Sequence, residues 1–440
     1  MKRVLIVSPY FPPVNAADMH RVRMSLPYFP PNGWDPVVLA IDPAHTEQPL
    51  DDRLLETVPS SVRVVRTAAW PTRVTRLAGI GNPAIRGFRH LYAAGARLLS
   101  EGTFDLVYFS TTQFVSLALG RLWKARYGVP YVLDIQDPWH STYYDDKPAA
   151  ERPPKYAIAR QVHRILERWT LKEVDGLIAV SDAYIASLRQ RYPWIAEDIC
   201  ATIPFGASSI DFEVSGQRHG PTAARGDDSE TFEGVYYGRG GADMTTALTI
   251  LFGGLAAGRQ SSDRLGRVRL RFCGTAYGRD PNAPLTIFPV AQAGGVADQV
   301  SESTSRVPYL ETLQGLQRAD FLIVIGSDDP QYSASKIYSY ILARRPMLAV
   351  LHERSPLVDI IRRTRAGEVI TFAGRHDREG PTERLRHLWV SLMERLPFEP
   401  DVNWAEFAPY TAEALTTRQC RLFDAIVRRQ ETAVSVPCID

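Results

Sequence analysis

Two cations sit where a polyanion could be held. Lys336 falls in Tyr332-Ser-Ala-Ser-Lys-Ile-Tyr-Ser-Tyr340, a hydroxyl-rich approach to a helix. Ser333 and Ser335 are candidate caps, Ile337, Tyr340 and Ile341 recur at helical spacing, and Arg345-Pro346 stops the helix before the apolar run Met347 to Leu351. Backbone donors converge at a helix start, so with Lys336 beside them the turn suits a diphosphate or a nucleotide. Arg239 lies in Gly238-Arg239-Gly240-Gly241, between the strand-like Val235-Tyr-Tyr237 and a helix beginning near Asp243. Glycines there let the backbone approach a phosphate, and Arg239 supplies the counter-charge. A third candidate is acidic: Tyr131-Val-Leu-Asp-Ile-Gln-Asp137 reads as a strand delivering Asp137 and then His140 to its carboxyl end. The plainer reading of each is a capping serine, a solvated lysine or a strand-edge carboxylate.

These residues need elements to hold them. Val4 to Val7 reads as a buried first strand breaking at Ser8-Pro9-Tyr10-Phe11-Pro12-Pro13, Asp18 as the cap of a helix carrying His20, Arg21 and Arg23, and Pro36 to Ile41 as a second strand. Further strands are expected at 105–109, 131–137, 175–180, 200–204, 235–237, 268–273, 320–325, 348–351 and 368–371. Helices are expected at 114–126, 152–173, after Ser181-Asp182, and at 310–318, 356–363, 381–396 and 410–430. That alternation is the signature of doubly wound parallel sheets, which bind ligands at the carboxyl ends of their strands. A chain of 440 residues is too long for one ordinary core. Between Ser215 and Gly234 the composition turns to Gly, Arg, Asp, Ser, Thr and Pro. The expected division is therefore an N-terminal Rossmann-like domain over 1–214, a linker or exposed loop over 215–234, a C-terminal Rossmann-like domain over 235–398, and a helical segment over 399–440 returning toward the first domain.

Composition narrows the function. A hydrophobic content of 45% with 23% charged residues is globular, and a net charge of +2 gives no argument for nucleic acid. Cys200, Cys273, Cys420 and Cys438 are scattered with no metal-ligand spacing, as in a reduced cytosolic protein without structural zinc. Met1-Lys-Arg runs straight into a short apolar strand, which is no signal-peptide core, and no run is long enough to span a bilayer. The expected location is cytoplasmic, peripheral at the inner membrane face. That last element comes from residues 57–100, where Arg63, Arg66, Arg73, Arg76, Arg86, Arg89 and Arg97 occur without an Asp or Glu, interleaved with Trp70, Leu77, Ile80, Ile85, Phe88, Leu91 and Tyr92. Such interleaving suits an anionic membrane surface or a lipid-linked diphosphate, and equally a packed helix with a solvated arginine face.

Taken together the motifs resemble a known family: the retaining glycosyltransferases with two facing Rossmann-like domains, the GT-B fold, of the family 4 type. The resemblance covers nearly the whole chain. It is carried by Val4-Leu-Ile-Val-Ser-Pro-Tyr-Phe-Pro-Pro13, Leu133-Asp-Ile-Gln-Asp-Pro-Trp139, Val180-Ser181 leading to Ile203-Pro-Phe-Gly206, Tyr237-Gly-Arg239, and Ser335-Lys-Ile337 with Tyr340 and Arg345-Pro346. It implies transfer of a sugar, with retention and without a catalytic metal, from a nucleoside-diphosphate sugar held by the second domain to an acceptor held by the first, across a cleft. No Asp-x-Asp argues otherwise, and no cofactor beyond the sugar nucleotide is implied.

By motif match, Arg239 and Lys336 bind the donor diphosphate and offset charge on the departing nucleotide, supported by Gly238, Gly240 and Ser335. Pro13, Asn15 and Ala16 line the loop on the acceptor side that the donor phosphates approach, and Asp137 with His140 faces the reacting sugar and the acceptor hydroxyl. Two departures stand out. The paired glutamates that usually hold the nucleotide ribose are replaced by Gln331 and Ser339, and the glycine pair after the first loop's prolines by Asn15-Ala16-Ala17. The expected activity is transfer from a UDP- or GDP-sugar to a glycolipid, polysaccharide or secondary-metabolite acceptor. The rivals are a non-catalytic GT-B partner or scaffold subunit, and a GT-B epimerase or phosphorylase.

Overall fold

The computed structural model describes residues 1–76, 81–139, 156–217, 231–276, 283–330, 332 and 335–435. The chain forms two compact units, Met1–Gly206 with Ala412–Asp440, and Ala207–Thr411.

The first unit is built on a seven-stranded sheet in the order β3-β2-β1-β4-β5-β6-β7. Its strands are β1 (Lys2–Val7), β2 (Trp34–Ile41), β3 (Arg63–Thr67), β4 (Leu106–Ser110), β5 (Tyr131–Ile135), β6 (Gly176–Ala179) and β7 (Cys200–Thr202). All pair in parallel. The central strands are continuous apolar runs because both faces are covered. On one face the helices Pro83–Glu101, Ala118–Tyr127, Tyr156–Leu171 and Asp182–Arg191 pack through a core that includes Leu91, Leu98, Leu119, Trp123, Leu171 and Leu188. On the other lie His20–Ser25 and the terminal helix Ala412–Ser435, whose Phe423 packs on Trp34 and Tyr108. Asp424 on that helix accepts from Trp34 Nε1 at 3.0 Å and pairs with Lys2. Only 412 onward belongs to this unit; residues 399–411 of the segment expected to return stay with the second.

The second unit has a six-stranded parallel sheet in the order β10-β9-β8-β11-β12-β13. Its strands are β8 (Phe232–Tyr237), β9 (Val268–Cys273), β10 (Val300–Ser303), β11 (Phe321–Ile325), β12 (Met347–His352) and β13 (Glu368–Phe372). The helix Thr245–Gly258 is apolar on nearly every side and lies in the core with Leu385, Trp389 and Leu392 of helix Glu379–Arg395. The boundary falls at Gly206 rather than in the polar stretch 215–234. Helix Ser209–Gln217 already belongs to the second unit: Asp211 accepts from Tyr309 Oη at 2.9 Å, and Gln314 donates to the Ser215 carbonyl at 2.6 Å. Most of the expected linker, 218–230, lies outside the described residues.

Both sheets have a switch point, where the chain leaves a central strand in opposite directions. In the first it lies between β1 and β4, and in the second between β8 and β11. The loops there carry most of the residues singled out from sequence.

Candidate functional site

In the second unit the switch point gathers the cations. Gly238 has a φ of 151°, and a Cβ there would lie 2.4 Å from Lys336 Nζ, so only glycine lets the lysine reach the turn. Lys336 opens the helix Lys336–Leu342, which Tyr340 fastens to the sheet: its hydroxyl accepts from the Tyr237 amide at 2.8 Å. The ammonium lies 3.6 Å from the centroid of the Tyr236 ring and, among the described residues, makes no ion pair. Burial, then the charge of Arg239, holds its pKa well below the usual lysine range.

Arg239 lies over Tyr332, 4.8 Å from its centroid, and meets Asp243 edge-on with Nη1–Oδ1 at 2.8 Å and Nη2–Oδ2 at 2.6 Å. Ser327 donates its hydroxyl to Asp243 Oδ2 at 2.6 Å, and the Asp328 amide donates to the Asp243 carbonyl at 2.7 Å. The loop after β11 thereby clasps the turn after β8. Hydrogen bonding from Arg239, opposed by partial burial, holds the Asp243 carboxyl below the usual carboxylate range. The Gly240 amide donates to the Thr275 carbonyl at 2.8 Å. This constellation offers a guanidinium of fixed orientation and an uncompensated ammonium side by side, which is chemistry for a phosphate-bearing ligand.

The serines behave differently from their sequence reading. Ser335 is exposed and makes no capping hydrogen bond, and the helix has only seven residues. Lys336 owes its placement to Tyr236 and Gly238 instead of a long helix start. Ser339 is half-buried on the same helix. Gln331, Ser333 and Ala334 lie outside the described residues, as does His140.

In the first unit the switch point is acidic. Asp18 is not a helix cap: it is buried, and its Oδ2 accepts from Thr111 Oγ1 at 2.7 Å, the Thr112 amide at 3.1 Å and Thr112 Oγ1 at 3.3 Å. Gln136 Nε2 donates to the Asp18 carbonyl at 3.1 Å, so the loops after β1, β4 and β5 are tied together. Beneath them Asp134 Oδ2 lies 2.7 Å from Arg21 Nε, with side chains 0% and 4% exposed, and accepts from Ser110 Oγ at 2.8 Å. Arg21 also donates to the carbonyls of Ile203 and Pro204. Asp134 is thus one half of a buried ion pair, not a strand-edge cap.

Asp137 follows on the exposed side of this network. Desolvation, then the charge of Asp18, raises its carboxyl above the ordinary range, and burial raises Asp18 despite the threonine hydrogen bonds. Ala16 and Asn15 are buried, and Pro13 is half-buried with its carbonyl accepting from the Asp51 amide at 2.7 Å. Asn15 Oδ1 and Trp139 Nε1 are both buried without a hydrogen-bond partner. Buried polar groups ordinarily find a hydrogen-bond partner, so a polar ligand would be accommodated there. Sequence reasoning missed Thr111, Thr112, Gln136, Asp243 and Ser327. For Asp243 a signal existed, since it follows Arg239 at helical spacing; the partners of Asp18 lie 93 and 94 residues away.

The arginines of 57–100 are less alike than their sequence suggests. Arg86 is buried and donates to the carbonyls of Gly81, Trp70 and His45, and Arg66 donates to the Pro12 carbonyl. Arg76 pairs with Glu47, and Arg97 lies 3.8 Å from Glu101. Counter-charges outside the segment thus answer part of it. Arg63, Arg73 and Arg89 are exposed and form no ion pair among the described residues, and Trp70, Val74 and Ile85 are exposed near them in the chain. Leu77 and Ile80 lie outside the described residues. Among the described residues no cluster of metal-ligating side chains occurs, and no helix is long and apolar enough to cross a membrane.

Residues 21–206 match the family model of the glycosyl transferase 4-like domain. No curated protein sequence matches the chain significantly. Among solved structures, the chain is similar to Anabaena HepE in complex with UDP and glucose, at 15% identity over 99% of this chain and 100% of that one, with a TM-score of 0.52. It is similar to the sucrose-phosphate synthase of Thermosynechococcus elongatus at 15% identity over 99% and 100%, with a TM-score of 0.56. A structure described as a UDP-N-acetylglucosamine 2-epimerase from Listeria monocytogenes follows at 12% over 98% of each chain and a TM-score of 0.51. At these identities the likeness speaks for the fold. The chain thus has the GT-B fold, and its residues 21–206 match the glycosyl transferase 4-like domain.

Proposed function

We propose that this protein transfers a sugar from a UDP- or GDP-sugar to a hydroxyl of a glycolipid, polysaccharide or secondary-metabolite acceptor, with retention and without a catalytic metal. The observation that carries the reading is the cluster of Lys336, held over Tyr236, and Arg239, whose charge bears on it, at the switch point of the second sheet. A half-buried ammonium with an aromatic ring and a second cation for company is costly until an anion arrives. A diphosphate supplies that anion, and the two cations then offset the charge that develops on the leaving nucleotide. Ser335, Gly238 and Gly240 border this position, and by motif match Ser339 and Gln331 take the sequence positions from which ribose contacts are expected. The neighbouring structures include one bound to UDP and glucose, which supports a nucleotide-sugar donor.

On the acceptor side the reading assigns hydroxyl recognition to Asp137, supported by Asn15, Ala16 and Pro13, with His140 beside Asp137 in sequence. Thermal stabilisation by UDP, GDP, dTDP, ADP and CMP tests the donor half: one nucleotide should raise the melting temperature, and Lys336→Ala should abolish the shift. No shift with any nucleotide would favour the partner-subunit reading, to which the missing glutamates at 331 and 339 point. The epimerase among the similar structures keeps a second enzymatic reading in play. Release of free UDP in the presence of acceptor, without interconversion of the sugar nucleotide, separates transfer from epimerisation.

The reading also places the protein at an anionic membrane surface through the exposed Arg63, Arg73 and Arg89 with Trp70, Val74 and Ile85, hence at the cytoplasmic face. Flotation with anionic vesicles that responds to salt is expected; its absence removes this part of the proposal.

A further inference from the structure

The helix Tyr156–Leu171 has an outer face that the other described residues leave exposed. Val162 is 51% and Ile165 60% exposed, the latter the most exposed large aliphatic side chain of any described helix. Around Ile165 the helix places Val162 at i−3, Gln161 at i−4 and Arg168 at i+3, with Arg164 adjacent. Arg164 and Arg168 are exposed. The one acid of the helix, Glu167, is turned inward, where Arg191 Nη1 and Tyr192 Oη donate to it at 2.9 and 2.8 Å. The outward charges are therefore all positive. Trp194 extends the same region: it is 43% exposed, its Nε1 is pinned to the Leu171 carbonyl at 3.0 Å, and the Arg168 guanidinium lies 5.8 Å from its ring.

The helix is fixed from behind. Arg121 on helix Ala118–Tyr127 donates to the Trp169 carbonyl at 2.7 Å and stacks 4.5 Å from the Trp169 ring. Helix Ala118–Tyr127 also packs against helix Pro83–Glu101, so the three helices form one layer over the same face of the sheet. The first of them begins among the exposed residues of 70–89.

We propose that the outer face of helix Tyr156–Leu171, with Trp194, is a second docking surface for an anionic lipid bilayer. This rests on the lipid-surface part of the function proposed above and supplies it with residues outside 57–100. Isolated aliphatic side chains set among arginines suit the interface of a bilayer, where apolar groups enter the acyl boundary and guanidinium groups stay with the phosphates. The exclusively positive border of this face favours an anionic surface, and self-association is an outcome of the test below. Trp194, apolar in body with its N–H already satisfied, is suited to the same depth.

Cosedimentation with vesicles of phosphatidylglycerol and phosphatidylcholine, against phosphatidylcholine alone, tests this on the full chain. Wild type should bind the anionic vesicles and release them with salt. Val162→Glu with Ile165→Glu, and separately Arg164→Ser with Arg168→Ser, should each weaken binding by roughly tenfold or more, while melting temperature and nucleotide stabilisation stay as in wild type. All four residues lie outside the core, so folding is preserved, and the arginine pair serves if the glutamates perturb the helix. Unchanged binding in both variants overturns the inference. If Trp70→Ser with Arg73→Ser then abolishes binding, the 57–100 reading survives alone. No binding by wild type removes both. A wild-type dimer dispersed by Ile165→Glu, with vesicle binding untouched, assigns the face to self-association and overturns the proposal equally.

Discussion

The two switch points occupy equivalent places in two similar sheets and hold opposite charge. At the first, Asp18, Asp134 and Asp137 converge, and the one arginine among them, Arg21, is consumed by Asp134 and by two carbonyls. At the second, Asp243 pairs with Arg239, and among the described residues Lys336 forms no ion pair. On the proposed function, the same strand-and-loop geometry serves once for a ligand rich in neutral hydroxyls and once for a polyanion. Topology sets where a ligand binds, and the residue supplied to the loop sets which ligand.

The contrast can be broken most severely at its buried ion pair. Replacing Arg21 with Met strands Asp134 with no countercharge in the core of the first unit. Loss of about 3–5 kcal/mol of stability is expected, read by urea unfolding, whereas replacing both partners with apolar residues should restore much of it. A small loss from the single variant would mean that the Arg21–Asp134 pair matters little to folding of the first unit.

Next comes the polyanion side. Lys336→Met removes the ammonium while keeping the stem on Tyr236, and nucleoside-diphosphate affinity should fall by roughly 1.5–3 kcal/mol, about ten- to a hundredfold, by calorimetry. Asp243→Asn should cost less, near 1 kcal/mol, by loosening the guanidinium that Asp243 holds edge-on. Tighter binding in Asp243→Asn would show that the carboxylate competes with the ligand for Arg239.

Acidity sharpens the comparison further because the carboxylates shift in opposite directions. Asp18 and Asp137 have raised pKa values in the folded chain, so they oppose folding when ionised, and that cost is relieved as pH falls through the folded values toward the ordinary carboxylate range. Asp243 is depressed, so its contribution is complete above the ordinary range and is lost only as pH falls through its lower folded value. Carboxyl carbon NMR should show Asp18 and Asp137 titrating before Asp243 on acidification. Asp18→Asn should move Asp137 downward, since Asp18 supplies part of its shift.

What sequence could reveal follows the same physics. The central strands announce themselves as apolar runs, and β1, β2, β4, β5, β8, β9, β11 and β12 all fall where the runs are. The two strands left unread, β3 with Arg63 and Arg66 and β10 with Ser301, Glu302 and Ser303, are the outermost of their sheets on one side. Edge strands bury one flank only and tolerate charge. Lys336 and Arg239 were legible because glycines and hydroxyls surround them within a few residues. Asp18 was misread as a cap because its partners lie on another strand's loop, and burial of a carboxylate by distant threonines leaves no local trace.

The smallest effect concerns Ser335, which the sequence presents as a helix cap. A genuine N-cap contributes about 1 kcal/mol through a side-chain bond to an amide two or three residues on. Ser335 has helical backbone angles, φ −56° and ψ −20°, which point its hydroxyl away from that geometry, and it makes no such bond. Ser335→Ala should therefore leave the melting temperature within about 1 °C of wild type and alter nucleotide affinity by under about 0.5 kcal/mol. A larger loss of affinity with stability unchanged would mean that the hydroxyl meets the ligand directly, giving the cationic switch point a neutral contact beside its charges.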